Sequence, residues 1–164
     1  MERSELASDL LPRLVDRVFH VTDFLNYKEI VKCNELRPNT KGSFRSICGS
    51  SSNSYFRLRN CISIFDFRNL PQDESERFHR IYSCCPFPVK SPKTHLVYFY
   101  LSEVAVNKLI LWTERGREQA LGQMIVPHVE AGFPGALPIS LIDSILHVMV
   151  NCRKSPLEKV LSLS

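Results

Sequence analysis

The stretch from Arg17 to Val31 constrains the fold most, because its hydrophobic period changes in mid-course. Over Arg17-Val18-Phe19-His20-Val21-Thr22, Val18, His20 and Thr22 fall on one side of an extended backbone and Phe19 and Val21 on the other. That is the period-two pattern of a half-buried strand. Immediately afterwards Phe24, Tyr27, Ile30 and Val31 recur at spacings of three and four, which predicts an amphipathic helix docked on the sheet. Asp23 is placed to cap it by accepting from the free amides of the first turn, and the helix should end near Asn34. The unusual feature is an imidazole and a hydroxyl two residues apart on one strand face. Both point to the same side, a rigid platform for a polar ligand.

A chain of 164 residues fits a single domain that buries about 70% of its unfolded surface. The expected layout is one domain over 1–164, with residues 1–16 as an N-terminal helical extension and 151–164 as a loosely held tail. No apolar run approaches the roughly 20 residues needed to span a bilayer. Met1-Glu2-Arg3-Ser4-Glu5-Leu6 carries acids and no apolar signal core, so no membrane partner and a cytoplasmic location are expected. The six cysteines, at 33, 48, 61, 84, 85 and 152, show no C-x-x-C pair and no zinc-type spacing with histidine, and read as reduced, packed thiols. No metal is expected. The net charge of +4 is unevenly placed: between Glu35 and Asp66 stand Arg37, Lys41, Arg45, Arg57 and Arg59 and no acid. An anion is the expected visitor there.

Leu6, Leu10 and Leu14 mark a first helix that Pro12 should break or kink. Lys41 to Ser54 holds two Gly and six Ser in fourteen residues, a surface loop of the kind that carries ligand contacts. Tyr55 to Arg59 reads as a short edge element, and Cys61 to Phe67 as a strong strand with Ser63 among bulky neighbours. Pro71 begins a charged helix holding Phe78, Ile81 and Tyr82, and prolines 86, 88 and 92 mark a turn region. His95 to Leu101 is the most strand-like run. A helix over 102–108, a strand over 109–112 and a helix over 113–121 follow. Gln123 to Glu130 reads as a strand interrupted by Pro127, Gly132 to Gly135 as a turn, 138–143 as a short helix and 145–150 as a last strand. The predicted class is α+β, a mixed and mostly antiparallel split sheet flanked by short helices.

The phosphate-cradling glycine motifs, H-E-x-x-H and G-x-S-x-G are all missing from the sequence, which removes the common nucleotide folds and hydrolases they mark. His20, Thr22, Asn39, the basic serine loop, Ser63 and Glu130 remain as candidates. Each has an ordinary alternative. His20 reads equally as a hydrogen-bonded strand residue, Ser63 as small-residue packing, Glu130 as a turn carboxylate and the arginines as solvated surface. His128 and His147 read as satisfied core or edge histidines, Tyr98 and Tyr100 as core.

His20-Val-Thr22 leading into Asp23-Phe-Leu-Asn26-Tyr-Lys-Glu-Ile30 and Leu36-Arg-Pro-Asn39, with Cys61-Ile-Ser63-Ile-Phe65 and a carboxylate near a late strand, resembles the ADP-ribosyltransferase superfamily. The likeness is to its small DarT-like members and the related RNA 2′-phosphotransferases, over about residues 17–145. The resemblance implies NAD, consumed as substrate, lying across a split sheet. His20 and Thr22 would grip the dinucleotide with Asn39, Ser63 and Gln123, and Arg45, Arg57 or Arg59 would meet the pyrophosphate, since diphosphates prefer guanidinium forks. Glu130 and Arg59 are the implied catalytic pair, because cleaving the glycosidic bond builds positive charge on the ribose that an anion stabilises. Either Glu130 or Gln123 occupies the glutamate position; with Gln123 there, the domain binds without turnover.

Three functions follow as expectations: a transferase that uses NAD to modify a nucleic acid or protein acceptor; an inactive binding or inhibitor module on the same fold; and a nucleic-acid-binding domain in which Tyr55 and Phe56 stack on bases beside Arg45, Arg57 and Arg59.

Overall fold

A computed structural model describes residues 3–44, 46, 53–70, 73, 93–111, 122–126, 128–151 and 160–163. Within them the chain is α+β. Helix α1 (Arg3–Leu14) precedes β1 (Val18–Asp23), α2 (Phe24–Cys33) and the short β2 (Glu35–Leu36); α3 (Tyr55–Leu58), β3 (Cys61–Asp66), β4 (Lys93–Leu101) and α4 (Glu103–Val106) follow. Then come β5 (Glu130–Pro134), β6 (Leu137–Pro138), a 3-10 turn (Ile139–Leu141), β7 (Ile142–Asn151) and β8 (Val160–Leu163). The main sheet has the order β5-β3-β1-β4-β7, extended at one margin by β8, and every neighbouring pair is antiparallel. β2 and β6 pair separately.

The alternation of β1 decides what lies on each side. Phe19 pairs with Phe65 and Tyr100, and its ring lies 5.4 Å from Phe65, 5.0 Å from Phe67 and 5.7 Å from Tyr98. Leu10 and Leu14 of α1 close this aromatic core. The expected break at Pro12 does not occur: the helix runs through it to Leu14, whose complete burial holds the last turn in place. On the other side Val18, Ile62, Ile64, Val97 and Phe99 face Tyr27 and Ile30 of α2 and Ala105 of α4. α2 starts and stops as its sequence predicts. Asp23 accepts from the Asn26 amide, and Asn34 closes the helix in the left-handed region at φ 58.

Two stretches differ from expectation. Tyr55–Leu58 is a helical turn, not an edge strand. Gln123 to Glu130 is not a strand either: Met124 makes one parallel bridge to Ser54, and the late strand starts at Glu130, running through Gly132 and Phe133, which read as a turn. The reason is close packing. A Cβ on Gly132 would stand 2.2 Å from the Phe56 ring, so this glycine admits an aromatic neighbour and marks no turn. Pro134 is tolerated because β5 is a marginal strand. That margin is covered: Gly132 exchanges hydrogen bonds of 2.8 and 2.9 Å with Ile110, and the Glu130 amide donates to the Val126 carbonyl. Ile110 thus contributes a bridge where a strand over 109–112 was expected. The 3-10 turn replaces the helix expected over 138–143, because β7 begins at Ile142. The helices expected from Pro71 and over 113–121, and the turn region at prolines 86, 88 and 92, lie outside the described residues.

Candidate functional site

β1 is paired with β4 from Phe19 to Asp23, but with β3 only at Val18↔Asp66 and Phe19↔Phe65. Beyond Phe19 the pairing with β3 ceases, and His20 stands at the fork. Its Nδ1 lies 3.0 Å from the Ser63 carbonyl oxygen. A carbonyl only accepts, so Nδ1 carries the proton. Burial pulls the His20 pKa below its ordinary value, against the opposing hydrogen bond to Ser63. The ring is therefore neutral at neutral pH, and its Nε2 presents a lone pair suited to a hydroxyl donor.

Thr22, two residues along the same face, is buried, and its hydroxyl accepts from Asn26 Nδ2 at 3.0 Å. Asn26 donates its backbone amide to Asp23 Oδ1 at 2.8 Å. The strand-to-helix corner is thus locked by side chains on both elements, and Thr22 is committed internally. Asn26 was not anticipated as part of the site; its signal was the four-residue step from Thr22 across a predicted cap.

Ser63 is the junction. Its carbonyl accepts the His20 hydrogen bond on one side, and its hydroxyl donates to the Glu130 carboxylate on the other. The second Glu130 oxygen partner is the Val126 amide, 3.0 Å from Oε2. Burial holds the Glu130 carboxyl above its ordinary pKa in spite of these two donors. A raised carboxyl with tuned donors is the profile of a group recruited for acid–base or charge-stabilising work. The register, however, puts Glu130 beside Phe65 and Phe19, whereas His20 lies beside Phe99. The two therefore leave the sheet on opposite faces, connected through Ser63.

The remaining candidates form a second group at the β5 margin. Arg59 Nη1 donates to the Tyr55 carbonyl at 3.0 Å and to Gln123 Oε1 at 2.8 Å. Its guanidinium carbon lies over the Tyr55 ring, 3.6 Å from the centroid. Gln123 is thus engaged with an exposed arginine, not with the Glu130 carboxylate. Tyr55 and Phe56, expected as base-stacking platforms, are buried, and Arg59 covers a face of Tyr55. Asn39 is spent on its own loop, donating to the Phe44 carbonyl at 2.8 Å and accepting its amide at 3.0 Å. Arg57 reaches the same loop, where its Nη2 would stand 2.8 Å from a Cβ on Gly42. Arg37 pairs with Glu35 at 2.7 Å. Arg45 lies outside the described residues. Among the described arginines of the basic segment, Arg37 and Arg59 thus bond different partners.

Comparison of the chain with known protein families, curated proteins and solved structures finds no match.

Proposed function

We propose that the chain is an ADP-ribosyltransferase-like protein that uses NAD to modify a macromolecular acceptor, nucleic acid or protein, in the cytoplasm. The observation that carries the reading is the fork: β1 and β3 stop pairing at Phe19↔Phe65, and His20 spans the opening to Ser63, whose hydroxyl meets the half-buried Glu130 carboxyl. The fork supports this reading because the sequence resemblance implies a sheet that opens between two strands. In this reading the neutral His20 accepts a ribose hydroxyl at Nε2. Glu130, ionised and on the opposite sheet face from His20, acts on the other ribose, the one joined to nicotinamide, with the dinucleotide passing round the open margin of the fork. It stabilises positive charge there as the bond to nicotinamide breaks and the electron pair leaves with the nicotinamide nitrogen. Arg59, preorganised on Tyr55, meets a phosphate.

Nicotinamide release and NAD binding by the full chain test this directly. His20→Ala should abolish NAD binding, and Glu130→Gln should preserve binding while stopping release. Equal release from Glu130→Gln and Gln123→Ala would sink the role given to Glu130. Undetectable binding at millimolar NAD removes the whole reading.

The alternative is a binding or inhibitor module on the same fold that never turns over. What favours it is the register, which sends His20 and Glu130 to opposite sheet faces. NAD bound without any nicotinamide release would select it. No helix among the described residues is long and apolar enough to cross a membrane.

A further inference from the structure

Away from the fork, four rings meet on the α2 side of the sheet: Phe24 and Tyr27 of α2, His95 of β4 and His147 of β7. His95 and His147 sit on paired strands, with His95 opposite Met149 and His147 opposite Val97. They are therefore diagonal neighbours on one face. His95 Nε2 and His147 Nδ1 stand 3.1 Å apart. Each ring is held from outside the pair. His95 stacks on Phe24 at 4.3 Å with the planes 9° apart, and His147 stands perpendicular to Tyr27 at 4.7 Å. His147 is only 8% exposed. As a hydrogen-bonded couple the two share one proton and leave His147 Nε2 buried with no partner, an incomplete solution for a polar group in an aromatic setting.

We propose that His95 and His147 form a two-imidazole clip for a single divalent ion of the zinc class. Zinc–nitrogen bonds of about 2.0–2.1 Å at a tetrahedral angle put two ligand nitrogens about 3.3–3.4 Å apart. The observed spacing is within a few tenths of an ångström of this. Burial favours the neutral form of both rings, the state that ligates, and as the ion takes the two facing nitrogens the proton between them moves to the outer nitrogen of the ring that donated it. In the bound form His147 carries its proton on Nε2 and His95 on Nδ1, the nitrogens that do not face the ion. No cluster of three or more His, Cys, Asp or Glu positioned to hold a metal occurs among the described residues. A clip with two protein ligands keeps open positions, unlike a closed structural zinc site, and its ion exchanges with solvent and accepts an outside ligand. The proposal does not depend on NAD use.

The test is Zn2+ titration of the full chain by calorimetry, with the histidine imidazole nitrogens followed by NMR and Mg2+ as control. One ion per chain should bind, moving the His95 and His147 signals together and leaving His20 in place. His95→Gln, at a half-buried position, should keep the fold and lose both the heat and the shifts; His147→Gln should do the same where its near-UV circular dichroism stays native. Binding should weaken as acid protonates the rings. Unmoved His95 and His147 signals at millimolar Zn2+, heat that places the ion on thiols without those shifts, or unchanged affinity in His95→Gln each overturn the proposal.

Discussion

The two edges of β1 are built differently from the same six residues. Toward β4 the strand pairs continuously to Asp23; toward β3 it pairs at two positions and then parts. On the first edge side chains such as Val21 and Tyr98 are held by ladder and core together. On the second, the Ser63 carbonyl is satisfied by an imidazole. A polar side chain has replaced a stretch of ladder, and replacement of that kind is how a sheet opens without orphaning buried backbone groups.

The contrast breaks if the fork proves as tightly built as the closed edge. Phe19→Ala removes the ring at the centre of the aromatic core and should cost about 3 to 5 kcal/mol by urea denaturation. His20→Ala leaves the Ser63 carbonyl short of a partner and should cost about 1 to 2 kcal/mol. Equal costs would mean that His20 is core in all but name. Gly132→Ala drives a methyl into the Phe56 ring and should cost about 1 to 3 kcal/mol, largely relieved by Phe56→Leu. Absence of that relief would place the strain elsewhere.

The Glu130 carboxyl sharpens the same comparison through pH. Because burial raises its pKa, the folded chain holds this proton more tightly than the unfolded chain. Its contribution to stability is therefore complete below the ordinary carboxyl value and is lost as pH rises through the raised folded value. Glu130→Gln should accordingly be more stable than the parent at neutral pH, with the difference vanishing in acid. A variant less stable at neutral pH would contradict the burial. The smallest effect is expected at the corner: Asn26→Ala removes the bond to Thr22 and should cost about 1 kcal/mol, read as a shift in the denaturation midpoint.

Elements written in local period were legible in the sequence: β1, α2 with both its caps, β3 and β4. The sequence places Glu130 next to a strand, but the strand begins at this residue and does not end there. Gly132 and Pro134 carry turn chemistry in any window of a few residues, and only the ring of Phe56, 76 positions earlier in the chain, explains why they are extended. Ser63 was marked as odd among bulky neighbours, yet its double role needs the registers of two strand pairs. The His95–His147 contact spans 52 residues and leaves no spacing signal at all. Charge patterning shows which arginines share a segment but not what each one meets: Arg37 pairs with Glu35 and Arg59 bonds Gln123, contacts that depend on the fold around them.

The covered margin at β5 governs how these molecules meet one another. A foreign strand arriving there finds the Gly132 amide and carbonyl already engaged, the Glu130 amide turned back on its own loop and, at Pro134, a ring with nothing to donate. Edge-to-edge strand pairing is denied a template on that flank, so the rim bearing Arg59 offers a second copy no ladder to extend.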